Sequence, residues 1–278
     1  MVAGDHAALF PLRFVVEGPK FRSGCRKQGS QMTYCVGILV REGLVMIADT
    51  RTNAGVDNVA TFRKLHVFER PGERVIGIAT AGNLAVSQSA MAFIAEGMEH
   101  PDTREVQTIM DMPNLFTAAQ FVGRAVREAR RAIGEPLDQA EAGAFDVSFL
   151  LGGRAGGRLR LFMIYAAGNF IEASADTPYL QVGEHKYGKP ILDRSVTEST
   201  TLDEALKLGL ISMDSTIRSN LGVGLPIDIL TVRRDEVKVA LSYRVEAAEP
   251  YFHDLRERWS AALRAAHRAI PPPPYRSS

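Results

Sequence analysis

The segment order predicts an α+β protein, a four-layer αββα sandwich of two antiparallel sheets flanked by helices. Three observations point there. Strand-length apolar runs come as hairpin pairs, and helices arrive in blocks between them. That is not the strict βαβ alternation of a parallel doubly wound sheet. Many strand runs are apolar at nearly every position, as strands covered on both faces are. The chain of 278 residues, 46% hydrophobic and 23% charged, is long enough to bury such a core.

The elements follow in order. Tyr34 to Val40 and Gly43 to Ala48 are apolar runs split only by Arg41-Glu42, a tight hairpin. Lys64 to Glu69 and Arg74 to Ala81 form a second pair around Pro71-Gly72. From Asn83 to Met98 the apolar spacing suits a largely buried helix. Leu115 to Ile133 is a longer helix with a broad apolar face, arginines opposite, and Gly134 as its stop. Phe145 to Leu151 and Arg158 to Ala166 read as strands joined by a glycine-rich turn, Gly152 to Gly157. Thr201 to Leu221 opens with the capping box Thr201-Leu202-Asp203-Glu204. Ile227 to Val232 and Glu236 to Tyr243 turn at Arg234-Asp235. Pro250 to Ile270 is a closing helix with Phe252, Leu255, Trp259, Leu263, Ala266 and Ile270 at helical spacing; Pro271 to Pro274 cannot continue it.

Several function classes drop out. Lys plus Arg is 33 and Asp plus Glu is 32, so no global charge drives the chain onto nucleic acid or an anionic membrane. No apolar run reaches the roughly 18 residues of a membrane span. Two cysteines, Cys25 and Cys35, make neither a disulfide framework nor a multi-cysteine metal site, which suits a reducing cytosol. The histidines lack metal-ligand spacing. The Gly152 to Gly157 stretch lacks the G-x-G-x-x-G order and opens no helix, and no G-x-S-x-G elbow occurs. No cofactor and no metal are expected. Residues 1–32 stand apart: five basic residues against two acids give the first 31 a net +3, with no persistent period. They lack the apolar core of a secretory signal. They are read as an extension or a mis-assigned start, residues 33–270 as one domain, and 271–278 as a proline-rich tail.

Two stretches carry chemistry. In Met32-Thr33-Tyr34-Cys35-Val36-Gly37 a hydroxyl residue opens a buried strand. In Ala48-Asp49-Thr50-Arg51-Thr52-Asn53-Ala54-Gly55 an acid lies at the end of the next strand, 16 positions on. Lys64 opens the third strand, and Ala81-Gly82-Asn83 ends the fourth. Strand ends so placed can bring Thr33, Asp49, Lys64 and the Gly82 amide to one sheet rim.

These residues resemble the β-type subunits of proteasomes, N-terminal nucleophile hydrolases, and more closely the bacterial proteasome-like family called Anbu (ancestral beta subunit). T-Y-C-V-G-I, D-T-R-T-N-A-G-V-D, F-R-K-L-H-V-F and S-N-L-G-V-G-L-P-I-D carry the resemblance, from Thr33 to about Val245. It implies a threonine-type peptidase with Thr33 as nucleophile, Asp49 as its acidic partner, Gly82 as oxyanion donor and Asn53 contacting substrate backbone. The family lysine falls 32 positions after the threonine, where this chain has Leu65; Lys64, at 31, matches if the loop is one residue shorter. Ser219 stands for a family acid, Gly222 for a serine and Glu184 for another serine, which are departures. The implied partners are a peptide substrate and further copies of the chain in a ring-like or open-ring homo-oligomer. No ATPase-docking motif is identified.

The chemistry fits the residue types. A threonine hydroxyl needs a base. A free α-amine, with an ordinary pKa of about 7.7–8.0, can serve for its own hydroxyl. While an amide joins Thr33 to Met32 that amine does not exist. Met32 is read as the true initiator, removable because threonine is small. Two alternatives stay open: a non-catalytic assembly subunit, and an amidohydrolase for a small amide.

Overall fold

The computed structural model describes residues 33–53, 59–134 and 145–275. β1 (Tyr34–Val40) and β2 (Gly43–Asp49) form the first hairpin, turning at Arg41-Glu42 as expected. β3 (Arg51–Asn53) and β4 (Val59–Thr61) make a small separate ribbon. β5 (Leu65–Arg70) and β6 (Arg74–Gly82) form the second hairpin. α1 (Leu84–Glu96) follows, capped by the Asn83 side chain on the Val86 N–H. A short ribbon, β7 (Met98–Glu99) with β8 (Val106–Gln107), leads to α2 (Leu115–Ile133), which ends at Gly134. β9 (Val147–Ala155), β10 (Arg160–Tyr165), β11 (Phe170–Glu172) and β12 (Tyr179–Gly183) come next. α3 (Lys189–Ser195) and α4 (Leu202–Ser219) precede β13 (Ile227–Arg233), β14 (Leu241–Val245) and α5 (Pro250–Ala269).

One sheet runs β12-β1-β2-β13-β14 and the other β11-β10-β9-β6-β5, with every pairing antiparallel. Three apolar layers hold four structural layers together. Leu44, Met46, Val75, Leu150 and Leu161 fill the space between the sheets. α1 and α2 cover the second sheet through Ile94, Phe121 and Val122 against Phe149 and Phe162. α3, α4 and α5 cover the first through Leu192, Met213 and Phe252 against Val36 and Ile47. All of β2 is buried, which is why its sequence reads as a continuous apolar run. The expected αββα sandwich is the observed fold.

Differences are local. β9 runs through Gly152 and Gly153 to Ala155, so the turn lies later than the sequence reading put it. A Cβ on Gly152 would lie 2.8 Å from the Leu44 side chain and 3.0 Å from the Met46 sulfur. This glycine lets the two sheets close on each other instead of turning the chain. The last strand is Leu241–Val245, beyond the expected Glu236 to Tyr243. β11, β12 and α3 were not foreseen; each is seven residues or fewer, too short for a clear period.

Candidate active site at the sheet rim

The first hairpin's register sets the site. Cys35 pairs with Ala48, so Asp49 at the end of β2 falls beside the start of β1. β6 runs toward the same rim: the Cys35 thiol lies 3.5 Å from the Thr80 carbonyl, two residues before Gly82. The Thr80 N–H in turn donates to the Lys64 carbonyl at 3.0 Å. Three strand ends and the residue before β5 therefore meet in one place.

Asp49 organises that place. Its side chain is fully buried. Oδ1 accepts from the Tyr34 N–H at 3.1 Å and from Lys64 Nζ at 2.8 Å. Oδ2 accepts from the Arg51 N–H at 3.1 Å and from the Gly224 N–H at 3.3 Å. Lys64 Nζ also donates to the Arg51 carbonyl at 2.5 Å. The Tyr34 nitrogen is the next backbone atom after the Thr33 carbonyl, so residue 33 adjoins the ion pair directly. Thr33 and Lys64 are themselves buried, at 6% and 4% exposed.

Burial is the largest influence on the Asp49 carboxyl and pushes it above the usual range; Lys64 and the backbone N–H donors oppose that push. Among the described residues its four hydrogen-bond partners are all donors, so the ionised form is the one this pocket satisfies. Burial also pushes the Cys35 thiol up, which keeps it protonated and a poor nucleophile.

The backbone at residue 33 is held on its other side by β12. The Thr33 carbonyl accepts the Glu184 N–H at 2.7 Å. Gly183, with φ +82°, makes this possible: a Cβ there would sit 1.9 Å from that carbonyl oxygen. Glu184, read as standing for a serine, thus meets residue 33 through its backbone, while its carboxylate lies 3.4 Å from Lys186. Gly82 ends β6 with φ +106° at the same rim. The Asn53 backbone closes β3, but its side chain lies outside the described residues. Ser219, exposed at the end of α4, has left the cluster. The Gly222 N–H instead bonds Asn220 Oδ1 at 2.8 Å.

Two contributors escaped the sequence reading. Gly224 donates to Asp49 from the loop after α4, and Arg51 Nη1 ties that loop down through the Leu221 carbonyl at 3.1 Å. Both belong to phrases already singled out, but no spacing rule assigns a backbone N–H. Tyr34 is the second: its fully buried hydroxyl lies 2.6 Å from Ser212 Oγ on α4 and accepts from Gln181 Nε2 on β12.

No protein-family model matches the chain. Proteasome subunit beta 1 of Pyrobaculum calidifontis is 23% identical over 217 residues, 74% of this chain and 92% of that protein. The structure is similar to a mutant of Anbu from Hyphomicrobium sp. strain MC1, with a TM-score of 0.79 and 48% identity over 87% of this chain and 100% of that one. Anbu from Yersinia bercovieri gives 0.79 and 42% over the same shares. The helical assembly of the Anbu complex from Pseudomonas aeruginosa gives 0.78 and 44%, covering 87% and 98%. With nearly half of its residues shared across the whole length of such a relative, and a matching overall fold, the chain belongs to the Anbu (ancestral beta-subunit) family.

Proposed function

We propose that the chain is a proteasome-like threonine peptidase whose nucleophile is the Thr33 hydroxyl, acting in the cytoplasm within a homo-oligomer. The observation that carries this reading is the shared oxygen: Asp49 Oδ1 receives both the Tyr34 N–H and Lys64 Nζ, which sets a buried cation beside residue 33. Once Thr33 is the first residue, its amine takes the hydroxyl proton as Oγ attacks the scissile carbonyl. Lys64 disfavours protonation of that amine and stabilises charge on the oxygen. Asp49 holds Lys64 in place. The Gly82 N–H is the proposed donor to the tetrahedral oxyanion, a role worth about 3–4 kcal/mol in hydrolases. Collapse expels the peptide amine, which leaves with the proton from the Thr33 ammonium; water then hydrolyses the ester. Asn53 is the proposed contact to the substrate backbone.

Intact-mass spectrometry of protein expressed from its own gene, with and without an electrophilic peptide inhibitor, tests the reading. A chain that begins at Thr33 and gains one inhibitor mass, lost in Thr33→Ala, is the expected result. A chain that keeps residues 1–32 yet cleaves peptides would overturn it. One observation favours a second reading, a non-catalytic assembly subunit: neither Ser219, exposed on α4, nor Gly222 supplies the acid and hydroxyl of related β subunits. A mature Thr33 terminus that no electrophile labels would select that reading.

A further inference from the structure

Between the two long helices that cover the first sheet, α4 and α5 line a cleft of about 270 Å³. Arg218, in the last turn of α4, lines one side; His253, Arg256, Glu257, Ser260 and Arg264, from one face of α5, line the other. Beneath it lies Asp214, fully buried. Asp214 Oδ1 accepts from Arg256 Nε at 2.6 Å. Among the described residues Oδ2 has no hydrogen-bond donor, and Arg218 Nε stands 3.9 Å away, within ion-pair but not hydrogen-bond reach. A buried carboxylate thus holds the Arg256 guanidinium by its Nε edge and draws a second, Arg218, from the facing helix. One bond uses one of the five donors on Arg256, and the rest remain for the cleft. No carboxylate among the described residues pairs with Arg264. The single acid in the lining, Glu257, lies 4.0 Å from His253.

We infer that this cleft binds a phosphoryl group, free or carried on a small molecule. Three guanidiniums and the Ser260 hydroxyl present donors from two helices; the guanidinium fork matches phosphate oxygens, and three such cations against one acid favour a multiply charged anion over a single carboxylate. The volume lies just under the roughly 300–1,000 Å³ of drug-sized pockets, so the ligand is small. None of its lining residues belongs to the rim cluster, so the inference stands whether or not the chain is a peptidase.

Isothermal titration of the full chain with pyrophosphate, inorganic phosphate and ribose 5-phosphate, at constant ionic strength, tests this. Saturable binding at one ligand per chain is expected. Arg264→Gln and Arg218→Gln each weaken it about tenfold or more. Both side chains are exposed, so the fold persists, and far-UV circular dichroism verifies that. Glu257→Gln tightens binding, a direction that misfolding does not mimic. Arg131→Gln on α2 leaves it unchanged. Preference for pyrophosphate assigns a free anion, and preference for ribose 5-phosphate a carried one. No saturable binding of any of the three, or binding indifferent to the Arg218→Gln/Arg264→Gln pair, overturns the inference.

Discussion

Lys64 is held by two oxygens, and removing it strands a charge. Lys64→Met leaves the Asp49 carboxylate buried with only backbone donors. The expected cost is about 3–5 kcal/mol, read as a lower midpoint in urea unfolding. A loss under about 1 kcal/mol would mean that water reaches the pair. Gly183 supplies a second test. An alanine Cβ would meet the Thr33 carbonyl and require φ +82°. Gly183→Ala is expected to destabilise the fold by about 1–3 kcal/mol and to remove inhibitor labelling of Thr33 while the Lys64–Asp49 pair remains. Unchanged labelling would show that residue 33 is not placed by β12.

Among the elements, the edge of the second sheet carries a pH-dependent clamp. Arg160 on β10 grips Glu172 on β11 through two hydrogen bonds, at 2.8 and 2.6 Å. Those bonds hold the Glu172 carboxyl below its usual range, with partial burial opposing them. A depressed folded-state pKa stabilises the fold fully above the unfolded value and loses that contribution as pH falls through the folded one. Glu172→Gln is expected to lose about 1–2 kcal/mol at pH 7. The gap to the parent protein narrows as pH falls below about 4, where the unfolded carboxyl takes up its proton, and closes once the folded carboxyl is protonated as well. A gap that stays constant from pH 7 to pH 3 would assign the effect to packing. The basic partner of this clamp also lies 4.6 Å over the Phe162 ring, so Arg160 ties the strand edge to the α2 core layer.

For the molecule as a whole, α5 is divided. Its first half packs onto α4 through Phe252, Leu255 and Trp259. Residues 261–270 are exposed without a break, and they include Leu263 at 52% and Ile270 at 70%. The same apolar stripe continues past the body it packs on, and half a helix alone in water is marginal. Within the proposed homo-oligomer this stripe is expected to face a neighbour. Native mass spectrometry should give multimers for the parent chain and smaller species for Leu263→Asp/Ile270→Asp, whose unfolding as a monomer is unchanged. A monomeric parent at micromolar concentration would remove oligomerisation from the proposal.

The layer order, the two N-terminal hairpins and the long helices could be read from residues alone, because each has a period or a turn signal that neighbours in sequence create. Asp49 and Lys64 were legible as polar residues at strand ends, while the pairing expected of them came from the family resemblance, since either residue alone reads as an ordinary turn acid or surface cation. Their convergence was an expectation that needed the β1–β2 register and the Thr80–Lys64 pairing to become a geometry. Gly224, Glu184 and the Tyr34–Ser212 contact were hidden for a physical reason. They act through backbone N–H groups or across 178 positions of chain, and a backbone donor looks the same at every residue until the fold aims it. The apolar spacing of α5 promised a buried face throughout, yet only half of it found a partner within the chain. Periodicity states which side of a helix seeks cover, whereas the extent of the remaining core sets where that cover runs out.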